Sequence, residues 1–61
     1  MPVVTVDIWP GRRPEEKEAI IRKITHVFVE MGITADQVIV KINEVPKENW
    51  GVAGKQASRF S

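Results

Sequence analysis

Two short runs of alternating apolar side chains, with one amphipathic segment between them, constrain this chain more than any other feature. Residues 3 to 9, Val-Val-Thr-Val-Asp-Ile-Trp, set Val4, Val6 and Ile8 on one face and Thr5 and Asp7 on the other, which predicts a strand. Val38 to Val45 predicts a second strand, in which Val38, Val40 and Ile42 alternate with Ile39, Lys41 and Asn43 before Pro46 closes it. Between the two, Ile20, Ile24, Val27 and Met31 recur at helical spacing. Ile21 and Phe28 widen them into a stripe suited to one buried face. Pro14 suits the first helical position, Glu15 and Glu16 face the positive end of the helix dipole, and Gly32 suits the C-terminal cap. Arg22, His26 and Glu30 fall on the opposite, polar side. Thr34 to Gln37 leaves room only for a short turn.

Strand, helix and strand within about 45 residues predict a right-handed βαβ unit, whose crossover makes the two strands parallel. The fold class expected is therefore α+β, a single domain over residues 1–61. One helix covers one face of a two-stranded sheet and leaves the other face and both edges without partners. A chain of 61 residues buries only about 60 % of the surface its unfolded form exposes. With no cysteine there is no disulfide to compensate, and the single His26 does not build a zinc site of the usual kind. Association with further copies is the remaining source of stability. The tail from Lys47 to Ser61 carries Trp50, Gly51, Gly54 and Phe60, which suits a short hairpin clasping a neighbour.

Nine Lys and Arg against eight Asp and Glu give no electrostatic footprint for nucleic acid or an anionic membrane. The apolar runs are too short to span a bilayer, and the N-terminus lacks the pattern of a signal peptide, so a cytoplasmic protein is expected.

Pro2 follows the initiator Met1 directly. Removal of that methionine would turn an imide into a free secondary amine with a lone pair held by its ring. Model α-amino groups titrate near pH ~7.7 to 8.0, and burial or a nearby cation lowers that further, close to the best value for a proton shuttle. After the first strand, Gly11-Arg12-Arg13 lies where a βαβ unit can hold an anion, and arginine offers a carboxylate a planar, bidentate partner. A solvated basic turn accounts for the same residues. The segment is no phosphate loop, because one glycine stands alone and no Gly-Lys-Ser/Thr follows.

Pro2 opening a strand, Gly11-Arg12 after it, Glu15-Glu16-Lys17 entering the helix and the tail Asn49-Trp50-Gly51-Val52-Ala53-Gly54-Lys55 together resemble the 4-oxalocrotonate tautomerase family. The resemblance spans essentially the whole chain. It implies a βαβ fold with a small C-terminal hairpin, dimers sharing a four-stranded sheet, and a homohexamer built as a trimer of dimers. It further implies a cofactor-independent isomerase, of the kind found in aromatic hydrocarbon catabolism, acting on a small carboxylate. Pro2 would be the catalytic base and Arg12 the residue that binds and polarises substrate. Trp50 would wall the apolar pocket, and Trp9, where the family is usually aliphatic, would narrow it. No metal or cofactor is expected.

The chain departs from the family at Ile39, where well-studied members carry a second arginine that grips the far carboxylate of a dicarboxylic substrate from a neighbouring subunit. Lys41 shares the strand parity of Ile39, and is either a charge presented on that face or a solvated or interface lysine. The reaction expected is keto-enol tautomerisation of an unsaturated 2-oxo or 2-hydroxy acid. Two other readings stay open. A hydratase or dehalogenase needs a carboxylate to activate water; the tail from Asn49 onward has none, which leaves Asp7 or Glu44 from another subunit. A non-catalytic oligomeric binding module would keep the scaffold without the chemistry. His26 reads as a surface residue, Asp7 as a cross-strand or interface partner, Asn43 and Glu44 as strand-end or interface residues, Phe28 and Met31 as core, and Phe60 as a cap on an apolar patch.

Overall fold

The computed structural model describes residues 1–59. The alternating runs form strands β1 (Val3–Ile8) and β2 (Ile39–Glu44), joined through helix α1 (Pro14–Glu30). They pair in parallel with Val3 opposite Ile39 and Ile8 opposite Glu44. The ladder is extended at both ends, where the Ile39 N–H donates to the Pro2 carbonyl at 3.0 Å and the Val45 N–H donates to the Ile8 carbonyl at 2.8 Å. Trp9, expected inside the first strand, lies just beyond it. A second, antiparallel ladder of β3 (Gly51–Val52) and β4 (Lys55–Gln56) forms the expected hairpin. Ala53 and Gly54 at its tip both take positive φ, 55° and 80°, as a two-residue hairpin turn matched to strand twist requires. Single 3₁₀ turns occupy Ala35–Gln37, Lys47–Asn49 and Ala57–Arg59. Phe60 lies outside the described residues.

Val4, Val6 and Ile8 of β1 and Val40 and Ile42 of β2 are half-buried, while Val3, Thr5, Asp7, Ile39, Lys41 and Asn43 are exposed. The pleat thus presents one apolar face to the helix and leaves the other face bare, as the sequence predicts. Val3 is 54 % exposed and Ile39 41 % exposed on that bare face. Asp7 and Asn43 sit opposite each other there, and the Asn43 amide donates to the Asp7 carboxylate at 3.2 Å.

The helix differs from expectation in which side chains it buries. Half-buried positions are Glu16, Lys17, Ala19 and Ile20 in its first half, then Ile24, Thr25 and Phe28. The covered face winds around the helix axis, so Val27, at 53 % exposure, and Met31, at 71 %, stand outside the contact, as does Ile21. Met31 is a correction to its core assignment: it caps the helix rather than continuing it. Both ends of α1 are closed by local hydrogen bonds. At the N-terminus the Glu16 carboxylate accepts the Arg13 N–H at 2.9 Å, while the Arg13 carbonyl accepts the N–H groups of Glu16 and Lys17. At the C-terminus the Ile33 N–H reaches the Phe28 carbonyl and the Gly32 N–H reaches the Val29 carbonyl, with Gly32 at φ +95°, which together form a Schellman closure.

Only Ala57 is fully buried among the described residues. The accessible surface is 4691 Å², against about 4,000 Å² expected for a compact monomer of this mass. The radius of gyration is 14.5 Å, against about 10.5 Å for a compact chain of this length. One chain alone therefore leaves its core open.

Gly32 offers a clean test of the local account, because a Cβ there would meet nothing within 4 Å and only its backbone conformation would suffer. Gly32→Ala is expected to destabilise the folded protein by about 1–2 kcal/mol, measured by urea unfolding at fixed subunit concentration.

Candidate functional site

The C-terminal ends of the two parallel strands open into a cleft of about 540 Å³ lined by Ile8, Trp9, Pro10, Gly11, Arg12, Glu16, Lys47 and Trp50. Trp9 comes from the end of β1, Arg12 from the turn that leads into α1, and Lys47 and Trp50 from the 3₁₀ turn after Pro46. That turn is fixed by hydrogen bonds from Asn49 N–H to the Pro46 carbonyl at 2.8 Å and from Trp50 N–H to the Lys47 carbonyl at 3.2 Å. The hairpin pins it from the far side, through the Gln56 amide on the Glu48 carbonyl at 2.9 Å and the Ala57 N–H on the Trp50 carbonyl at 2.7 Å.

Two indoles form the apolar wall. Trp9 and Trp50 meet edge to face, with centroids 5.9 Å apart and planes at 76°, a favoured aromatic geometry. The Lys47 ammonium lies 4.7 Å from the centroid of the Trp9 ring, within cation–π range. The Trp9 Nε1–H is buried without an acceptor among the described residues, and the ring is held by its contacts with Trp50 and Lys47.

Arg12 stands exposed beside this wall, with Nη1 3.5 Å from Glu16 Oε2. Arg13 turns away from the cleft and pairs with Glu15 at 3.3 Å and Glu16 at 3.6 Å. The Glu16 carboxyl is held below the usual carboxylate range chiefly by the Arg13 backbone N–H; desolvation opposes this, and the Arg12 charge and hydrogen bonds from the Arg13 and Arg12 side chains add to it. Glu16 thus serves both as helix cap and as the acid that orients Arg12. Sequence reasoning assigned it only to the helix dipole, and it missed Lys47 as a lining residue. The spacing of Lys47 to Trp50 carried the signal, since positions i and i+3 eclipse on one side of a 3₁₀ turn.

The remaining expected site residues lie elsewhere. Pro2 is half-buried at the start of β1, bonded through its carbonyl to Ile39. Seven residue steps separate Pro2 from Trp9, and at ~3.3 Å per residue the two ends of the strand lie about 23 Å apart. The chain therefore brings Trp9, Arg12 and Trp50 together but not Pro2. Ile39 and Lys41 both project on the bare face of the sheet, Lys41 opposite Thr5. Asp7 is bonded to Asn43, and Glu44 forms an ion pair with Lys17 at 2.9 Å, so neither carboxylate lines the cleft. His26 is exposed on the polar side of α1, 3.9 Å from Glu30.

The family model for the tautomerase enzymes matches residues 2–59. The 2-hydroxymuconate tautomerase of Comamonas testosteroni is 45 % identical over 61 residues, covering 98 % of this chain and 97 % of its own length. That of Pseudomonas putida is 43 % identical over 61 residues, covering 98 % and 97 %. Among solved structures, a 4-oxalocrotonate tautomerase isozyme of Methylibium petroleiphilum superposes with a TM-score of 0.86 at 40 % identity, covering 93 % of this chain and 94 % of the other.

The depressed titration of Glu16 predicts a pH dependence. A carboxylate held below its unfolded value contributes stability that is present above that value and lost as pH falls through the folded one. Glu16→Ala is expected to be less stable than the parent at pH 7. The difference between their urea midpoints should shrink as the buffer is taken down through the acidic range.

Proposed function

The chain belongs to the tautomerase family, and on that premise we propose that it moves a proton between oxygen and carbon of a small unsaturated 2-hydroxy or 2-oxo acid. Pro2, freed by removal of Met1, is the base. Its neutral amine takes the proton from the enol hydroxyl, the O–H electron pair becomes part of a new carbonyl, and the conjugated π electrons shift along the chain. The same nitrogen then delivers the proton to a carbon, so the product is an isomer and nothing else is consumed. Arg12 holds the 1-carboxylate and the developing oxyanion, where a pre-positioned cation contributes most. Trp9 and Trp50 exclude water, which favours the neutral amine and strengthens the arginine contact. No metal or cofactor enters this scheme.

The observation that carries the reading is the arginine set against a two-tryptophan wall at one end of a strand that Pro2 immediately precedes. The two ends meet once a second copy is added. A two-fold axis that pairs the open edge of β1 with that of a partner runs the two strands antiparallel. The first residue of each then lies against the last of the other, and a four-stranded sheet results. Pro2 of one copy thereby comes to the Arg12 cleft of its partner. Three such dimers stacked through their bare sheet faces, where Val3 and Ile39 are exposed, make a hexamer. Relatives named for 2-hydroxymuconate support an enol acid as substrate. Met1 is 81 % exposed, which leaves its side chain accessible for removal.

Ketonisation of phenylenolpyruvate, followed by ultraviolet absorbance, tests this. Pro2→Ala is expected to lower kcat/KM by about 10²–10⁴ and Arg12→Ala by about 10²–10³, with unchanged far-ultraviolet circular dichroism. The intact mass of the active protein should lack one methionine residue. Undiminished activity in Pro2→Ala would remove the proline from its role, and an inactive wild type that still binds enol acids would favour the binding-module reading.

A further inference from the structure

The cleft contains two cations. Lys47 lines it together with Arg12, and its ammonium rests on the face of Trp9 at 4.7 Å. The two cations differ in how they are neutralised. Arg12 has the Glu16 carboxylate 3.5 Å away. No carboxylate lies within ion-pair distance of Lys47 among the described residues, although Lys17 shows what a paired lysine looks like here, with Glu44 at 2.9 Å.

We propose that Lys47 is the second anion-binding group of this cleft, taking over the far carboxylate of a conjugated diacid that Arg12 holds at its reacting end. This rests on the tautomerase reading and adds to it the residue that selects the far end of the substrate. The aromatic face suits the role for a physical reason. An ammonium has three donors, and a ring quadrupole satisfies its charge from one side without using a directed acceptor, so the donors on the other side stay available to an anion. The indole also fixes the position of a flexible four-carbon side chain before substrate arrives, which cuts the ordering cost of binding. The backbone helps in the same way. Lys47 opens a 3₁₀ turn that Pro46 precedes and Trp50 ends, and that turn is bonded to the hairpin.

A point charge differs from a guanidinium fork in what it selects. Lysine holds one or both oxygens of a carboxylate without fixing its plane, so the far end of the substrate is chosen for charge rather than for orientation. The chain would therefore keep a preference for diacids over monoacids despite Ile39, and the preference would depend on position 47.

The experiment compares 2-hydroxymuconate with phenylenolpyruvate as substrates for the wild type, Lys47→Gln and Lys47→Arg. The ratio of kcat/KM for the diacid to that for the monoacid is expected to fall about tenfold in Lys47→Gln, the scale of one charge-assisted contact. The fall should lie mostly in KM, and Lys47→Arg should restore the ratio. A ratio unchanged in Lys47→Gln, or one not restored in Lys47→Arg, overturns the proposal. If the wild type turns over neither enol, the tautomerase reading fails on its own. The anion site is then decided by binding of muconate against sorbate, followed by tryptophan fluorescence, and that affinity ratio must show the same tenfold loss in Lys47→Gln to sustain it.

Discussion

A two-stranded parallel sheet with a helix on one face is the constraint from which the rest of this molecule follows. Parallel pairing places both strand starts at one end and both strand ends at the other. The loop and tail residues that follow the strands, Trp9, Arg12, Lys47 and Trp50, therefore gather on one side. Pro2 is left at the opposite end, against Ile39. The same pairing leaves the second sheet face bare, with Val3 and Ile39 exposed, and leaves only Ala57 fully buried among the described residues. Stability and the proposed chemistry thus point to the same remedy: further copies of the chain would both cover the open face and carry Pro2 to the cleft. A chain of this size can complete its core or its site alone only by adding elements it does not have.

Most of the fold was legible because its signals are local. Alternation in β1 and β2, Pro14 and Gly32 at the helix ends, and the glycines Gly51 and Gly54 of the hairpin tail each depend on a few neighbouring residues. The helix face was harder to read. Ile20, Ile24, Val27 and Met31 form a regular stripe in sequence, but the helix lies closer to β2 than to β1, and its covered face winds from Glu16 and Ile20 to Thr25 and Phe28. Helical period cannot separate an apolar residue that meets its own sheet from one left over for another molecule, because both are apolar. Thr25 shows the reverse case, a polar residue accepted in the contact because its hydroxyl donates to the Ile21 carbonyl at 2.7 Å.

The cleft was legible in part. Trp9, Arg12 and Trp50 follow from the resemblance, and they meet. Glu16 and Lys47 did not stand out, since a glutamate in a first helical turn and a lysine after a proline are common in any sequence. Their roles come from geometry: Glu16 turns back to cap Arg13 while facing Arg12, and Lys47 stacks on a tryptophan nearly forty positions earlier in the chain. The Lys47–Trp50 spacing sets both on one side of their turn, but the stacking on Trp9 itself has no local signature. The separation of Pro2 from the cleft is implicit in the strand itself, since a rise of ~3.3 Å per residue keeps its two ends apart.

The central claim is that each site takes Pro2 from one copy and the Arg12 cleft from another. Mixing two inactive variants, Pro2→Ala and Arg12→Ala, tests it most directly. Random reassembly after denaturation and refolding of an equal mixture makes half of the dimers mixed, and each mixed dimer has one site with both groups intact. Activity should then recover to roughly a quarter of the wild-type value for a two-fold dimer, while each variant refolded alone stays inactive. A mixture no more active than its separate components would contradict the shared site.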